Sequence, residues 1–486
     1  MRVLLFFSLT LISILSKAQS SVNRASVRMF TPDQMVSDCK YLRALLEKGH
    51  PSLYRYTTKD SMDYYFDSTV SKFNHPMSEV EYWGHLQYLV AKIGSGHTQV
   101  LFSQSFENNY DRNTHYVLPF GVYINDNKLY VKRLIGKIDT AFFSGYQIIS
   151  INGENKQQLF RKIRTLISGD GRSYSYKNYK LEIGEFNRLY ELTHPSETAF
   201  SVLFKTFSRK DKLVTLAARV EKYHSNKDTS AGQSINLPLN GIHYTNNFDN
   251  NLPDSLIHHI TYLKDKPSIA ILQIKSFTYT DYLSFHKELF KSLHQRNIKD
   301  LIIDIRNNGG GSDYICIDFL KYLMNDNFYF TKKDEGVVDL KIFNSWLSQK
   351  ESDKINLSRI EHKSYTIMYD ANKLNRPYKD SFKGRIHLLF NGGTYSAASL
   401  FAVALKTQQP STNTYGSETG GGQAGCDGGE IVTIKLPQTS LQLRLPLLWT
   451  YSVCKDTNIA RGLIPDHLIS SNWIDYTYLS VFKQIP

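Results

Sequence analysis

The stretch Leu388-Leu389-Phe390-Asn391-Gly392-Gly393-Thr394-Tyr395-Ser396-Ala397-Ala398-Ser399-Leu400-Phe401-Ala402 decides how this chain is read. An apolar run breaks at a glycine pair and resumes as a small-residue helix, which predicts a strand, a tight turn and a helix beginning at Ser396. At a helix N-terminus the free N–H groups and the positive dipole end favour negative charge. An attacking alkoxide and the oxyanion it generates would both be stabilised there, the geometry of a nucleophile elbow. The alternative is that Ser396 merely caps the helix.

A second glycine motif bears on that choice. Asp300-Leu301-Ile302-Ile303-Asp304-Ile305-Arg306-Asn307-Asn308-Gly309-Gly310-Gly311-Ser312 is a continuous apolar strand running into three glycines, followed by the helix-like 314–323. Glycines after a buried strand let backbone amides approach a ligand, either a nucleotide phosphate or the oxyanion of an acyl intermediate. The phosphate reading lacks its partners, since no GxGxxG spacing and no Gly-Lys-Ser/Thr is present, so the oxyanion reading leads.

With these motifs the chain resembles the S41 serine peptidases, the family of carboxyl-terminal processing and tail-specific proteases, tricorn-core-like proteins and retinoid-binding-protein repeats. The resembling residues are Asp304 to Gly311, Gly393-Thr394-Tyr395-Ser396-Ala397-Ala398-Ser399, Gly416-Ser417-Glu418-Thr419-Gly420-Gly421 and Gly462-Leu463-Ile464-Pro465-Asp466, in the family's order. The resemblance implies a multi-domain α/β protein with a ClpP/crotonase-like catalytic core. It puts the nucleophile on Ser396 and the oxyanion donors on the N–H of Ala397 and of a glycine in the pair Gly309-Gly310.

Carboxyl-terminal processing proteases take their base from a lysine shortly after the Gly-x-x-Thr-x-Gly turn, where this chain has Gly422 and no lysine between Lys406 and Lys435. Tricorn-like members use a histidine, and Gly94-Ser95-Gly96-His97-Thr98 is similar to their Gly-Asp-x-His-Thr motif, which makes His97 the base candidate. With an ordinary imidazole pKa of about 6.5, activity is expected to fall as pH drops through that region. A third group should orient the imidazole. Ala460 stands where the tricorn-like glutamate would be, leaving Ser95, Glu418 and Asp466 as candidate orienting groups.

Met1-Arg2, the apolar run 3–15 and Ser16-Lys17-Ala18 read as a signal peptide (residues 1–18) cut after Ala18, which predicts a periplasmic or secreted protein with no integral membrane segment once the signal is removed. The 486 residues, 41% hydrophobic and 21% charged, suit two or three globular domains. The formal charge of +13 is dispersed, without basic tracts or zinc-finger spacing, so no nucleic-acid partner is expected. Cys39, Cys316, Cys426 and Cys454 lack CxxC spacing. No metal and no cofactor is expected and no disulfide framework is implied, although a pair such as Cys426 with Cys454 could close in an oxidising compartment.

Residues 30–110 read as a helical cap domain. Thr31-Pro32-Asp33-Gln34 is a capping box opening a stripe at Met35, Cys39, Leu42 and Leu46. A second stripe follows at Met62, Phe66, Val70 and Phe73, and a third opens at Ser78 with Glu81 as box partner and delivers the chain to His97. Residues 111–220 change to short alternating strands. There Gly145 to Gly153 resembles the central signature of PDZ domains, against a plain hairpin with an Asn-Gly turn. As a PDZ-like substrate-binding domain it would hold a peptide carboxylate at Leu118, Phe120 and Gly121. A connecting segment spans 221–255 and the S41 catalytic core 256–486. The expectation is an exported serine endopeptidase acting on extended or unfolded polypeptides through an acyl-enzyme on Ser396. The alternative is a catalytically inactive binder of peptides or apolar ligands on the same fold.

Overall fold

The computed structural model describes residues 28–134, 143–195, 197–222, 244–245, 257–338, 365–369, 373–457, 459–469, 478 and 481. The signal segment lies outside the described residues, as does the connecting segment apart from 221–222 and the short strand Tyr244–Thr245.

Helix Pro32–Gly49 starts at the expected box: Thr31 Oγ1 accepts the Gln34 N–H at 3.4 Å, and Gln34 Oε1 accepts the Thr31 N–H at 3.0 Å. Its buried face is Met35, Cys39, Leu42, Leu45 and Leu46. Helices Lys59–Val70 and Glu79–Val90 bury Met62 and Phe66, and Tyr82, Leu86 and Leu89, as the stripes require. Only half of the third box forms, because Ser78 takes the Glu81 N–H while the Glu81 carboxylate faces His75 at 3.7 Å. Beyond the last helix the chain turns through Gly94–Thr98 (94–98) and pairs Gln99–Leu101 with the strand Gln442–Ser452, fixing the turn that carries His97 to the C-terminal half.

The β-rich part is an antiparallel sheet in the order Asp211–Ala217, Ala199–Lys205, Gln147–Ile151, Lys128–Leu134, Phe120–Asn125. The Asn152-Gly153 turn has positive φ at both residues, 49° and 81°, which is why Asn and Gly stand there. Helical apolar faces and this sheet share one hydrophobic core.

The C-terminal half is built on a seven-stranded sheet in the order Tyr244–Thr245, His258–Leu263, Ile269–Ile274, Asp300–Asp304, Arg385–Phe390, Asn413–Gly416, His467–Leu468. It is parallel from Ile269–Ile274 onward. Strand Asp300–Asp304 is buried along its whole length, the reason it reads as an unbroken apolar run. Helices Tyr282–Gln295, Asp313–Leu323 and Ala397–Gln408 pack into this core. A second sheet orders Tyr365–Tyr369, Thr331–Val338, Gln442–Ser452 and Gly425–Lys435. The protein is thus a multi-domain α/β protein. All four cysteines are buried free thiols, Cys426 and Cys454 included. Among the described residues no helix is long and apolar enough to cross a membrane.

Candidate active site

Strand Arg385–Phe390 and helix Ala397–Gln408 meet at Ser396, whose backbone is at φ 53°, ψ −131°. A non-glycine residue enters that region only under constraint, at a cost on the order of 1–3 kcal/mol. Its side chain makes no capping hydrogen bond, so the capping alternative is not what the structure displays. The turn before it is held by side chains: Asn391 Oδ1 accepts the N–H groups of Gly393 and Asn307, both at 2.9 Å. Thr394 Oγ1 donates to the Ile305 carbonyl at 2.8 Å. The glycine pair serves close approach: a methyl on Gly392 would stand 2.3 Å from the Ser175 carbonyl oxygen, and one on Gly393 2.6 Å from the Tyr179 ring.

The second glycine loop lies against this elbow. The Tyr395 N–H donates to the Asn308 carbonyl at 2.9 Å, and a methyl on Gly310 would stand 2.8 Å from Ser396 Cβ and 3.0 Å from the Ala397 nitrogen. Of the glycine pair, Gly310 has its N–H taken by Asn308 Oδ1 at 2.9 Å. Among the described residues the N–H groups of Gly309 and Ala397 have no acceptor. They are the two donors free to meet a developing oxyanion.

His97 is buried, 8% exposed, and its carbonyl takes the Arg444 Nη1 proton at 2.9 Å. Burial, reinforced by the nearby Arg444 charge, lowers its pKa to about 3. The imidazole is therefore neutral throughout the working range, and the acid limb expected near 6.5 does not belong to it. The ring packs on Tyr395, the residue preceding Ser396, with centroids 4.9 Å apart. Ser396 Oγ and His97 Nε2 make no hydrogen bond among the described residues.

Of the candidate orienting groups, Glu418 is committed to the Gly462 N–H (2.8 Å) and Arg461 (3.3 Å), and Asp466 to Lys406 (2.8 Å) and both polar groups of Thr414. Neither contacts His97. Ser95 belongs to a different chain of hydrogen bonds. The Ser52 N–H donates to His50 Nδ1 at 3.1 Å, so His50 Nε2 donates to Thr98 Oγ1 (2.7 Å) and Thr98 to Ser95 Oγ (2.9 Å). Ser52 in turn donates its Oγ proton to Asp427 Oδ2 at 2.7 Å. This chain braces the turn that carries His97. The carboxylate that does approach His97 is Asp170, through the Tyr395 phenol. Sequence reasoning missed it, and its only signal is its setting in Ser168-Gly169-Asp170-Gly171-Arg172, a carboxylate between two glycines.

Leu118 and Phe120 are 1% and 0% exposed, and their carbonyls both accept from Asn187 Nδ2. The neighbouring Ile124 N–H is taken by Glu182 Oε1 at 2.8 Å. Gly121 follows Phe120 in the strand Phe120–Asn125. The polar backbone around these residues is largely occupied. A cleft of about 850 Å³ opens instead between the 124–127 hairpin, Arg172 to Glu182, Asn391-Gly392, Glu418 and Ala460-Arg461. It reaches the start of the elbow, although neither Ser396 nor His97 lines it.

A strained serine at a helix N-terminus, two free amides and a buried histidine are thus gathered at one place in the fold. Residues 268–447 match the model of peptidase family S41. The fold is similar to the crystal structure of mature CPAF (14% identity, 93% of this chain and 96% of that one covered, TM-score 0.62). It is equally similar to mature CPAF complexed with lactacystin (14% identity, 93% and 97% covered, TM-score 0.62). No curated protein sequence matches the chain. The family match is confined to the C-terminal part of the chain, and it supports a serine-type peptidase, a hydrolase.

Proposed function

We propose that the chain is an exported serine endopeptidase that cleaves extended or unfolded polypeptides through an acyl-enzyme on Ser396. The observation that carries this reading is the elbow: Ser396 sits at φ 53° without capping its helix, beside the unengaged amides of Ala397 and Gly309. In this mechanism Ser396 Oγ attacks the scissile carbonyl while His97 takes its proton. The Ala397 and Gly309 N–H groups hold the oxyanion. His97 then gives the proton to the leaving amine, and water releases the acyl group by the same steps in reverse order. Burial keeps the imidazole neutral before attack. The 850 Å³ cleft beside Asn391-Gly392 is the space open to an extended segment, and it supports substrate entry between the β-rich sheet and the core. Export rests on the signal-like segment 1–18.

The test is hydrolysis of an unfolded protein by the intact chain and by Ser396→Ala, with fluorophosphonate labelling alongside. Turnover and labelling lost together in Ser396→Ala support the reading; labelling of neither form, with tight peptide binding, favours the catalytically inactive binder. For export, the mature N-terminus of protein recovered from outside the cytoplasm should be Gln19.

A further inference from the structure

We infer that Asp170, acting through the phenol of Tyr395, is the positioning residue for His97. The inference rests on the reading of His97 as the base. Tyr395 Oη lies 2.6 Å from Asp170 Oδ1 and 3.3 Å from His97 Nδ1. A phenol has one proton, and the short contact to a carboxylate commits it there. Towards His97 the same oxygen can only accept, so the imidazole proton is held on Nδ1 and Nε2 is left bare. A bare Nε2 is the nitrogen a serine hydroxyl needs.

The surroundings fix each member. Asp170 Oδ1 also takes the Gly96 N–H at 2.8 Å, and Oδ2 faces the Gly422 N–H at 3.3 Å. Gly96 must lack a side chain because a methyl there would stand 2.2 Å from Tyr395 Oη. Tyr176 stacks on the other side of the Tyr395 ring, centroids 4.2 Å apart, so the phenol is clamped between Tyr176 and His97. The loop carrying Asp170 is seated on Ala460: the Arg172 N–H donates to the Ala460 carbonyl at 2.8 Å, and a methyl on Gly171 would stand 2.5 Å from that oxygen. Ala460 offers no carboxylate, and the loop packed on it brings one. Because Tyr395 precedes Ser396, one residue couples the orientation of the imidazole to the elbow.

No proton moves along this chain. Burial pushes the Tyr395 phenol well above its ordinary pKa, so it stays protonated while His97 gains a proton at Nε2, and the resulting imidazolium faces the Asp170 charge through the phenol dipole. The carboxylate must be ionised to do this. Titratable groups acting on it include Asp427, Tyr56, Tyr176 and Cys426, besides Tyr395, with Arg444 held at the carbonyl of His97. Burial raises the Asp170 pKa to about 7.

The experiment uses the full chain and the variants Tyr395→Phe, which removes a single oxygen, and Asp170→Asn. Tyr395→Phe should lower kcat by roughly 10²-fold, the lower end of what a positioned base contributes, with KM nearly unchanged. Asp170→Asn should lower kcat and abolish an acid limb near pH 7. Independently of turnover, ¹⁵N-histidine NMR of Ser396→Ala protein should show His97 as the Nδ1–H tautomer, and Ser396→Ala/Tyr395→Phe should shift it towards Nε2–H. An unchanged tautomer, or unchanged kcat and pH profile in Tyr395→Phe, overturns the inference. Hydrolysis by Ser396→Ala would instead overturn the reading of the nucleophile, and the tautomer measurement would still decide the role of Tyr395 and Asp170.

Discussion

Gly310 and Ser396 are packed against one another: a methyl on Gly310 would stand 2.8 Å from Ser396 Cβ and 2.9 Å from the Tyr395 carbonyl oxygen. Gly310 also sits at φ 105°, where a side chain is strained whatever the space. The two glycine-bearing turns, about eighty-six residues apart in sequence, are therefore one mechanical unit. Asn391 and Asn307 tie them together through a 2.9 Å hydrogen bond between side chains.

Gly310→Ala should consequently cost stability and activity together. Strain at positive φ and the overlap with Ser396 predict a loss on the order of 1–3 kcal/mol. The fluorophosphonate labelling rate should fall more than tenfold. Urea unfolding and labelling kinetics on the same preparation check both, and wild-type values for either would mean the loop relaxes away from the elbow.

Ser396 is held in a strained backbone conformation. Ser396→Gly relieves the φ of 53° and should stabilise the protein by about 1 kcal/mol or be neutral, because glycine's greater freedom when unfolded offsets part of the gain. Ser396→Ala keeps the strain, and both should lose on the order of 10⁴ in turnover. Chemical denaturation of the three proteins gives the comparison; a clear loss of stability in Ser396→Gly would mean the conformation is not strained.

The glycine turns and helix starts were legible because each is local. Thr31 with Gln34 and the buried run 300–304 announce themselves within a few residues. Which group orients His97 was not legible. Asp170 reaches it through Tyr395, and these three residues come from separate parts of the chain, joined only when Gly96 and Gly422 close around the carboxylate. Glu418 and Asp466 drew notice by standing next to family-like motifs, yet their carboxylates are spent on the Gly462 and Thr414 N–H groups. The sequence also does not report the burial that lowers the pKa of His97 to about 3.

The β-rich sheet should not discriminate peptide carboxyl ends. Leu118 and Phe120 are buried, Asn187 holds both of their carbonyls, and Glu182 occupies the Ile124 N–H that an added strand would need. Free-acid and amidated forms of a long peptide should bind Ser396→Ala protein with equal affinity by fluorescence anisotropy. A tenfold preference for the free acid would restore the expectation drawn from the Gly145 to Gly153 signature.

Stability and activity should respond to pH in opposite directions. Burial raises Asp170 to about 7 and Asp427 to about 6, against about 3.9 for an aspartate in an unfolded chain. Both groups favour the folded state when protonated. Their contribution is fully present below about pH 4 and is lost as pH rises through 6 to 7. Turnover needs the Asp170 carboxylate and so rises over the window in which stability declines. Asp427→Asn keeps an acceptor for Ser52 but cannot ionise, so it should flatten the fall in Tm between about pH 4 and 6 while leaving the Asp170-dependent rise in kcat in place. Thermal melts across that range, and kcat across the rise near pH 7, provide the check for both proteins. A Tm that climbs with pH in the wild-type protein, or a kcat limb that disappears in Asp427→Asn, would assign the buried charges the other way round.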